Sequence, residues 1–396
     1  MKALVTNAKN RIAYNILRSL APAGVKVYCA DFVPRAMSFY SRYSSGHFVY
    51  PSPFSKQKEF IECLISKIKE LNIDVLIPVF EELFLVAKHK EELLKHVKMA
   101  VPDYSQILTA HNKDQWVPIA KNLDIPVPET FPIKKYISDP GLIAELHFPV
   151  LIKPRQGGGG WGIKQVASAS EFRDCLVADG PEGQPWERFV VQQMIEGDTI
   201  CVAMVFCRGQ LRGKVAYQQI REYPPLKGQA TCRISISNKT AEDNLQRLLE
   251  HLNWHGVCQA DFVVDKITKT PHLIDINPRF WGSLAQAMAS GVDFPNLVYK
   301  IALNGDVDPV DEFKEGVVTR WLGGELRGLV QHYSHAEKKL PFLRDFFLPD
   351  HSTKLYDDFS FTDPVPFFMW GLDALNRVLK YKKIQPHDSL TGRIWE

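Results

Sequence analysis

The sequence predicts a mixed fold, with an α/β domain at the N-terminus and a larger α+β region with mainly antiparallel strands after it. Two observations support this prediction. From residue 1 to about residue 101, apolar strands alternate with amphipathic helices, which is typical of a parallel sheet. Beyond residue 126, short strands follow one another with polar turns between them, which favours antiparallel pairing.

The N-terminal domain opens with a strand over residues 3–6 and a helix over residues 11–20. A second strand covers residues 25–30, and a helix over residues 56–71 leads to an apolar strand at 74–79. Because the carboxyl ends of parallel strands meet at one edge of a sheet, we expect ligands to bind at that edge.

The middle region carries a series of strand patterns, over residues 148–153, 163–166, 189–193, 200–207, 213–219 and 233–237. Residues 260–264 and 272–276 form a further antiparallel pair around a polar turn. From about residue 306 the sequence becomes irregular and rich in aromatic residues and proline, with one helix predicted over residues 367–379. This helix either packs on the protein itself, forms a dimer interface, or lies on a membrane surface.

Composition excludes several classes of function. Lysine and arginine total 48 against 45 acidic residues, so a net charge of +3 does not predict binding to nucleic acid. Apolar runs are too short for a membrane span, and the N-terminus enters a strand pattern without a signal sequence. Seven scattered cysteines without a C-x-x-C motif indicate free thiols in a reducing, cytoplasmic compartment.

The clearest local signal is a glycine-rich turn after a strand that ends at Lys153. Its five glycines occupy six consecutive positions: Gly157, Gly158, Gly159, Gly160 and Gly162. A strand rather than a helix is predicted next, so the turn is not a dinucleotide fingerprint. It is not a P-loop either, because Ile163 occupies the lysine position of that motif and no serine or threonine follows Lys164. Backbone N–H groups in such a flap can cover phosphates while the lysine supplies a positive charge. The alternative is a glycine hairpin without a ligand.

A second group of polar residues lies on the predicted hairpin. Asp275 and Asn277 share one face of a strand, because alternate residues of a strand point to the same side. Pairing across the turn would bring Asp261 to the same face. Two carboxylates and an amide oxygen are suitable ligands for Mg²⁺. Asp265, beside the turn, is better explained as a solvated residue at a hairpin end.

These motifs, taken in order, resemble those of the ATP-grasp superfamily, which includes carbamoyl-phosphate synthase, biotin carboxylase and D-alanine–D-alanine ligase. The resemblance covers roughly residues 1–305. It rests on Lys113, on Lys153 with its glycine flap, on the segment from Gln192 to Asp198, and on Asp261 with the run from Asp275 to Arg279. It implies a Rossmann-like domain (residues 1–105), a linker helix and lid (106–194), a metal-binding subdomain (195–308) and a C-terminal extension (309–396).

The resemblance also implies a role for each matching residue. Lys113, Lys153 and the flap glycines would contact the nucleotide phosphates, and Arg279 would stabilise the transferring phosphoryl group. The adenine would be read by Gln192, Gln193 and Ile195, and the ribose by Asp198. The residues that match the Mg²⁺ ligands are Asp261, Asp275 and Asn277. Relatives often carry Glu at the position of Asp275, and Mn²⁺ could replace Mg²⁺.

Members of this superfamily use ATP to activate a carboxylate as an acyl phosphate, which an amine then captures. We therefore expect an ADP-forming ligase of small carboxylates and amines that forms C–N bonds, and a homodimer is one option that the sequence leaves open. Three alternatives are a bicarbonate-using carboxylase or carbamoyl-phosphate enzyme, a non-catalytic ATP-binding sensor, and a nicotinamide-dependent oxidoreductase.

Glu81 and Glu82 follow the strand at 74–79 and face the central cleft in similar folds. They either recognise an amine or only complement the dipole of the helix that they precede.

Overall fold

The structure is a computed structural model that describes residues 1–156, 162–177, 185–223, 228–335, 339–340 and 353–381. Its first sheet is entirely parallel and consists of β1 (Lys2–Val5), β2 (Lys26–Asp31), β3 (Ser44–Val49) and β4 (Val75–Ile77). The order across the sheet is β3-β2-β1-β4. The parallel pairing predicted for this region is therefore confirmed.

The second sheet is small and antiparallel. Its strands are β5 (Thr130–Pro132), β6 (Val150–Pro154), β7 (Lys164–Val166) and β8 (Phe189–Gln193). They lie in the order β5-β8-β6-β7, with β6 in the interior of the sheet. An apolar cluster that includes Tyr136 and Phe172 packs on it. We call this unit the lid sheet.

The third sheet has seven strands. Its members are β9 (Gly197–Cys207), β10 (Gln210–Tyr223), β11 (Gln229–Ser235), β12 (Gly256–Asp265), β13 (Pro271–Asn277), β14 (Val318–Arg320) and β15 (Thr353–Tyr356). They lie in the order β13-β12-β9-β10-β11-β14-β15, and all neighbours are antiparallel except the final pair. The predicted hairpin is confirmed as β12 paired with β13.

The described α-helices begin with α1 (Arg11–Leu20), α2 (Gln57–Leu71), α3 (Glu82–Lys88), α4 (Lys90–Leu93), α5 (Tyr104–His111) and α6 (Lys113–Asn122). They continue with α7 (Lys134–Ser138), α8 (Ala169–Val177), α9 (Lys239–His251), α10 (Leu284–Ala289), α11 (Phe294–Asn304), α12 (Leu322–His335) and the C-terminal helix Val365–Tyr381. Helices α1 and α11 pack between the first and third sheets, so one apolar core joins the two.

The connection between the lid sheet and the third sheet requires a glycine. A Cβ atom at Gly197 would lie 1.9 Å from the carbonyl oxygen of Val264, far inside van der Waals contact. This glycine therefore lets β9 approach β12 closely at the point where the chain enters the third sheet.

The expectation of an irregular C-terminal part is wrong in three places, because β14, α12 and β15 all lie there. Strand β14 pairs with β11 and β15 extends the same sheet. The prediction of a helix near residues 367–379 is confirmed, and this helix packs on the protein itself. The Tyr14 hydroxyl donates to the Asp363 carbonyl at 3.1 Å just before the helix begins. In the part of the chain that the structure describes, no helix has the length and apolarity needed to cross a bilayer.

Candidate active site

Lys113 lies in the first turn of α6, where Asn112 caps the helix by accepting from the Asp114 N–H at 3.1 Å. The backbone N–H of Lys113 donates to the Arg155 carbonyl at 3.1 Å, which ties the helix to the end of β6. Its side chain is buried, and Nζ lies 2.7 Å from Oδ1 of Asp275 on β13. Lys113 thus connects the lid sheet to the third sheet.

Lys153 lies on β6 and is only 6% exposed. Its Nζ donates to Oε1 of Gln192 on the neighbouring strand β8 at 2.7 Å, and Gln192 in turn donates to Oγ1 of Thr130 at 3.0 Å. Burial, and then the charge of Lys113, lowers the pKa of Lys153 to about 8. An anion bound beside these two lysines would restore the charged state, so the pair is suited to phosphate.

Asp261 and Asp275 face each other across the β12–β13 hairpin, as the sequence predicts. Oδ1 of Asp261 accepts from Nε2 of Gln259 at 2.6 Å and from the Cys201 thiol at 2.9 Å. Burial and the negative charge of Asp275 raise the pKa of Asp261. The two carboxylates therefore carry more negative charge than Lys113 neutralises, and this arrangement fits a divalent cation.

Asn277 completes the predicted ligand set. Its Nδ2 donates to Oε1 of Gln259 at 2.8 Å, which leaves the Asn277 carbonyl oxygen as the atom for a cation. Among the described residues, no three histidine, cysteine or acidic side chains form a metal cluster, so a cation here would depend on the two carboxylates and this amide. Gln259, which sequence reasoning missed, positions both Asp261 and Asn277. Gln259 lies two residues before Asp261 on β12, so both side chains point to the same face of the strand. This alternation is the sequence pattern that could have identified Gln259.

Arg279 follows β13 and lies at the same edge. Its guanidinium carbon is 4.1 Å from the centroid of the Phe80 ring, and one nitrogen donates to the Phe280 carbonyl at 3.0 Å. Burial lowers the pKa of Arg279, while the negative charges of Glu81 and Asp275 act in the opposite direction. Arg279 therefore joins the third sheet to the carboxyl edge of the first.

The residues expected to read the nucleoside lie at the end of β8, in the connection after it and at the start of β9. Gln193 ends β8 and its N–H donates to the Glu129 carbonyl at 2.8 Å, whereas Ile195 belongs to the three-residue connection. Asp198 is exposed on β9. Of the flap glycines, only Gly162 is described, and it has a positive φ of 67°. Gly157, Gly158, Gly159 and Gly160 lie outside the described residues.

Two arginines of the third sheet, Arg221 on β10 and Arg233 on β11, form ion pairs with acidic residues from the C-terminal part of the chain. Arg221 forms a bidentate pair with Glu325, at 2.6 and 3.1 Å, and Arg233 pairs with Asp357. Asp265 accepts from the Ile267 and Thr268 N–H groups within its own turn, which agrees with the structural role expected for it.

Comparison with known protein families identifies the domain that contains these residues. The family model described as "ATP-grasp domain" matches residues 110–283. Residues 110–283 are an ATP-grasp domain. The match contains Lys113, Lys153, the lid sheet, the β12–β13 hairpin and Arg279.

Similarity to curated and solved proteins extends beyond this domain. The chain is 21% identical over 221 residues to a carbamoyl-phosphate synthase of Methanobrevibacter smithii. The aligned segment covers 52% of this chain and 58% of that protein. The chain thus spans less than two thirds of this curated relative.

Two solved structures share the fold at low sequence identity. The biotin carboxylase domain of Hydrogenobacter thermophilus 2-oxoglutarate carboxylase superposes with a TM-score of 0.65 at 16% identity, over 80% of this chain and 73% of that chain. An L-amino acid ligase from Bacillus licheniformis gives 0.59 at 17% identity, over 78% of each chain. At these identities the similarity establishes the fold, and the mixed α/β class predicted from the sequence is confirmed.

Proposed function

We propose that this protein is an ATP- and Mg²⁺-dependent ligase that activates a small carboxylate as an acyl phosphate and couples it to an amine. The observation that carries the proposal is the convergence of Lys113, Lys153, Asp261, Asp275 and Arg279 between the lid sheet and the third sheet. Two buried lysines suit the phosphates, two opposed carboxylates suit a cation, and an arginine beside them suits a phosphoryl group in transfer.

The domain plan follows from the same reasoning. Residues 1–105 would be a Rossmann-like domain, 106–194 the linker helix and lid, 195–308 the metal-binding subdomain, and 309–396 the C-terminal extension. The parallel first sheet and the antiparallel lid sheet support these limits. We place the protein in the cytoplasm, and a homodimer is compatible with the proposal because one structural neighbour is a "Domain Dimer".

Lys113 and Lys153 would hold the phosphates of ATP, with Lys113 exchanging Asp275 for a phosphate oxygen. Asp261, Asp275 and Asn277 would hold Mg²⁺ or Mn²⁺, which neutralises phosphate charge when bound. A substrate carboxylate oxygen attacks the γ-phosphorus as the bond to ADP breaks, and Arg279 stabilises the charge on the transferring group. The amine nitrogen then bonds to the acyl carbon, and phosphate leaves with the electrons of the broken C–O bond.

ADP release in the presence of pooled carboxylates and pooled amines tests the proposal. We expect ADP only when both pools are present, and loss of at least ~10²-fold in Lys153→Ala, because a buried charge that faces the phosphates is removed. Lys164→Ala is the matched control, since Lys164 is an exposed lysine on the adjacent strand β7 and should keep full activity. ADP formation at an undiminished rate in Lys153→Ala would contradict the assignment.

A bicarbonate-dependent reaction is the second candidate, because the chain is similar to a carbamoyl-phosphate synthase and to a biotin carboxylase domain. The same assay separates the two. ADP release that requires bicarbonate but no amine would replace the ligase proposal with this one.

Nucleotide binding should depend on pH through Lys153. Because its pKa in the free protein is about 8, Lys153 is largely charged below pH 8 and increasingly neutral above it. Phosphates bind the charged form, so the affinity for MgADP should be constant below pH 8. Above pH 8 the affinity should decrease, and the decrease should approach roughly tenfold per pH unit. Calorimetry at pH 8 in two buffers of different ionisation enthalpy should show proton uptake, and Lys153→Met should abolish it. Equal heats in both buffers for the wild-type protein would contradict the prediction.

A further inference from the structure

The two glutamates after β4 have opposite environments. Glu82 is fully buried and satisfied: its Oε1 accepts from the backbone N–H groups of Val79 at 2.9 Å and Phe80 at 3.1 Å. Its carboxylate also accepts from the Thr6 hydroxyl and, at 3.2 Å, from the Asn7 amide. Glu82 therefore holds together the loops at the carboxyl edge of the first sheet.

Glu81 is also buried, at 4% exposed against 0% for Glu82, but among the described residues its carboxylate has no hydrogen bond and no ion pair, and its oxygens are not fully enclosed by protein. The charges that act on the pKa of Glu81 are those of Arg279, Glu82 and Lys9, in decreasing order of their effect. Burial raises the pKa of Glu81 to about 7. A largely buried carboxylate without a hydrogen-bond partner is costly, so a ligand that supplies the partner would be bound favourably here.

The position of Glu81 specifies which ligand atoms it would meet. It follows the carboxyl end of β4, at the sheet edge where ligands of α/β proteins bind. In the preceding residue, Phe80, the centroid of the ring lies 4.1 Å from the guanidinium carbon of Arg279. Since Arg279 is assigned to the phosphoryl group, Glu81 borders the acyl end of the site rather than the adenine end.

We propose that Glu81 binds the amine cosubstrate as its ammonium ion and accepts a proton from it, an inference that rests on the proposed ligase function. A cation satisfies an unpaired buried carboxylate, whereas bicarbonate would place a second negative charge beside it. The cosubstrate assigned to this position is therefore a primary amine.

Two protons leave the amine nitrogen during the reaction. The ammonium ion gives one proton to the Glu81 carboxylate, and the freed lone pair attacks the acyl carbon. As the C–N bond forms and the C–O bond to phosphate breaks, the second nitrogen proton leaves with the phosphate. Glu81 returns its proton to water after the product departs, so the carboxylate is regenerated.

Hydroxylamine tests this role, because it is uncharged at neutral pH and captures an acyl phosphate without needing a base. Full-length wild-type protein and Glu81→Gln are given MgATP and the carboxylate pool, with either hydroxylamine or the amine pool. We expect Glu81→Gln to lose roughly 10²- to 10⁴-fold in amide formation, as for removal of a general base, and to keep hydroxamate formation and MgADP affinity. Glu91→Gln, an exposed neighbour, should match the wild type in every assay.

The possible results separate the two proposals. Amide formation that survives in Glu81→Gln, or an equal loss of amide and hydroxamate, would overturn the role of Glu81. Restoration of part of the amide activity in Glu81→Asp would support it, because the shorter side chain keeps the carboxylate. Absence of both ADP and hydroxamate in the wild-type protein, with every carboxylate, would instead refute the proposed function.

Discussion

Replacement of Asp275 by alanine should reduce ADP formation by about 10³-fold or more while the protein remains folded. Asp275 opposes Asp261 on the hairpin and pairs with Lys113 at 2.7 Å. Its removal would take away a proposed cation ligand and would release the lysine that we propose to bind phosphate. The loss of charge stabilisation from a metal ion is several kcal/mol, and each ~1.4 kcal/mol corresponds to tenfold in rate.

Two variants make the Asp275 result specific. Asp265→Ala removes a carboxylate from the other end of the same hairpin, where it only accepts turn N–H groups, and should leave turnover unchanged. Asp275→Glu should retain substantial activity, because it keeps a carboxylate at the position where relatives often carry Glu. The assignment fails if Asp275→Ala turns over ATP at the rate of Asp265→Ala. Circular dichroism and binding of Mn²⁺ followed by electron paramagnetic resonance distinguish a lost site from a lost fold.

Asp357→Ala should destabilise the protein by about 3–5 kcal/mol, the usual cost of leaving a buried charge without its partner. Arg233 and Asp357 form an ion pair in which both side chains are 0% exposed. Arg11 also approaches Asp357, with Nε 3.3 Å from the carboxylate, and its guanidinium stacks on Trp321 at 3.9 Å. Removal of one carboxylate would therefore leave two buried guanidinium groups short of negative charge.

An exposed pair of the same chemistry provides the control for this prediction. Arg212 contacts Asp306 at 2.6 Å, and the Asp306 side chain is 53% exposed. Asp306→Ala should change the free energy of unfolding by less than about 1 kcal/mol, because solvent screens such pairs. Urea denaturation of both variants measures the difference. If Asp357→Ala is no less stable than Asp306→Ala, the buried network does not hold the C-terminal segment in place.

The sequence was most informative where the local pattern decides the outcome. The β12–β13 hairpin is such a case, since strand alternation brings Asp261, Asp275 and Asn277 to one face whatever the rest of the fold does. Lys153 is another, because a lysine in an apolar strand is costly to bury unless an anion or a hydrogen-bonding partner meets its charge. Gln259 could have been predicted as a site residue from the same alternation of side chains along a strand.

Other features depend on tertiary contacts and have no local signal. Strand β3 alternates between half-buried and exposed residues and lacks an apolar run, so its sequence resembles a loop. Helix α12 has Gly323 and Gly324 in its first turn, which lowers its helix propensity. The difference between Glu81 and Glu82 also depends on tertiary contacts. Nothing in the sequence shows that Glu82 is fully hydrogen-bonded while the Glu81 carboxylate has no hydrogen bond among the described residues.

The contacts around Asp363 have a consequence for how the protein is made. Its carboxylate accepts from the Ser41 hydroxyl at 2.5 Å and from the Arg42 N–H at 3.1 Å, and its carbonyl accepts from Tyr14. These partners precede Asp363 by more than 320 residues, so they leave the ribosome well before it does. The first sheet and its helices therefore fold at first with this surface uncovered, and the contacts with Asp363 form only after the intervening chain has been synthesised.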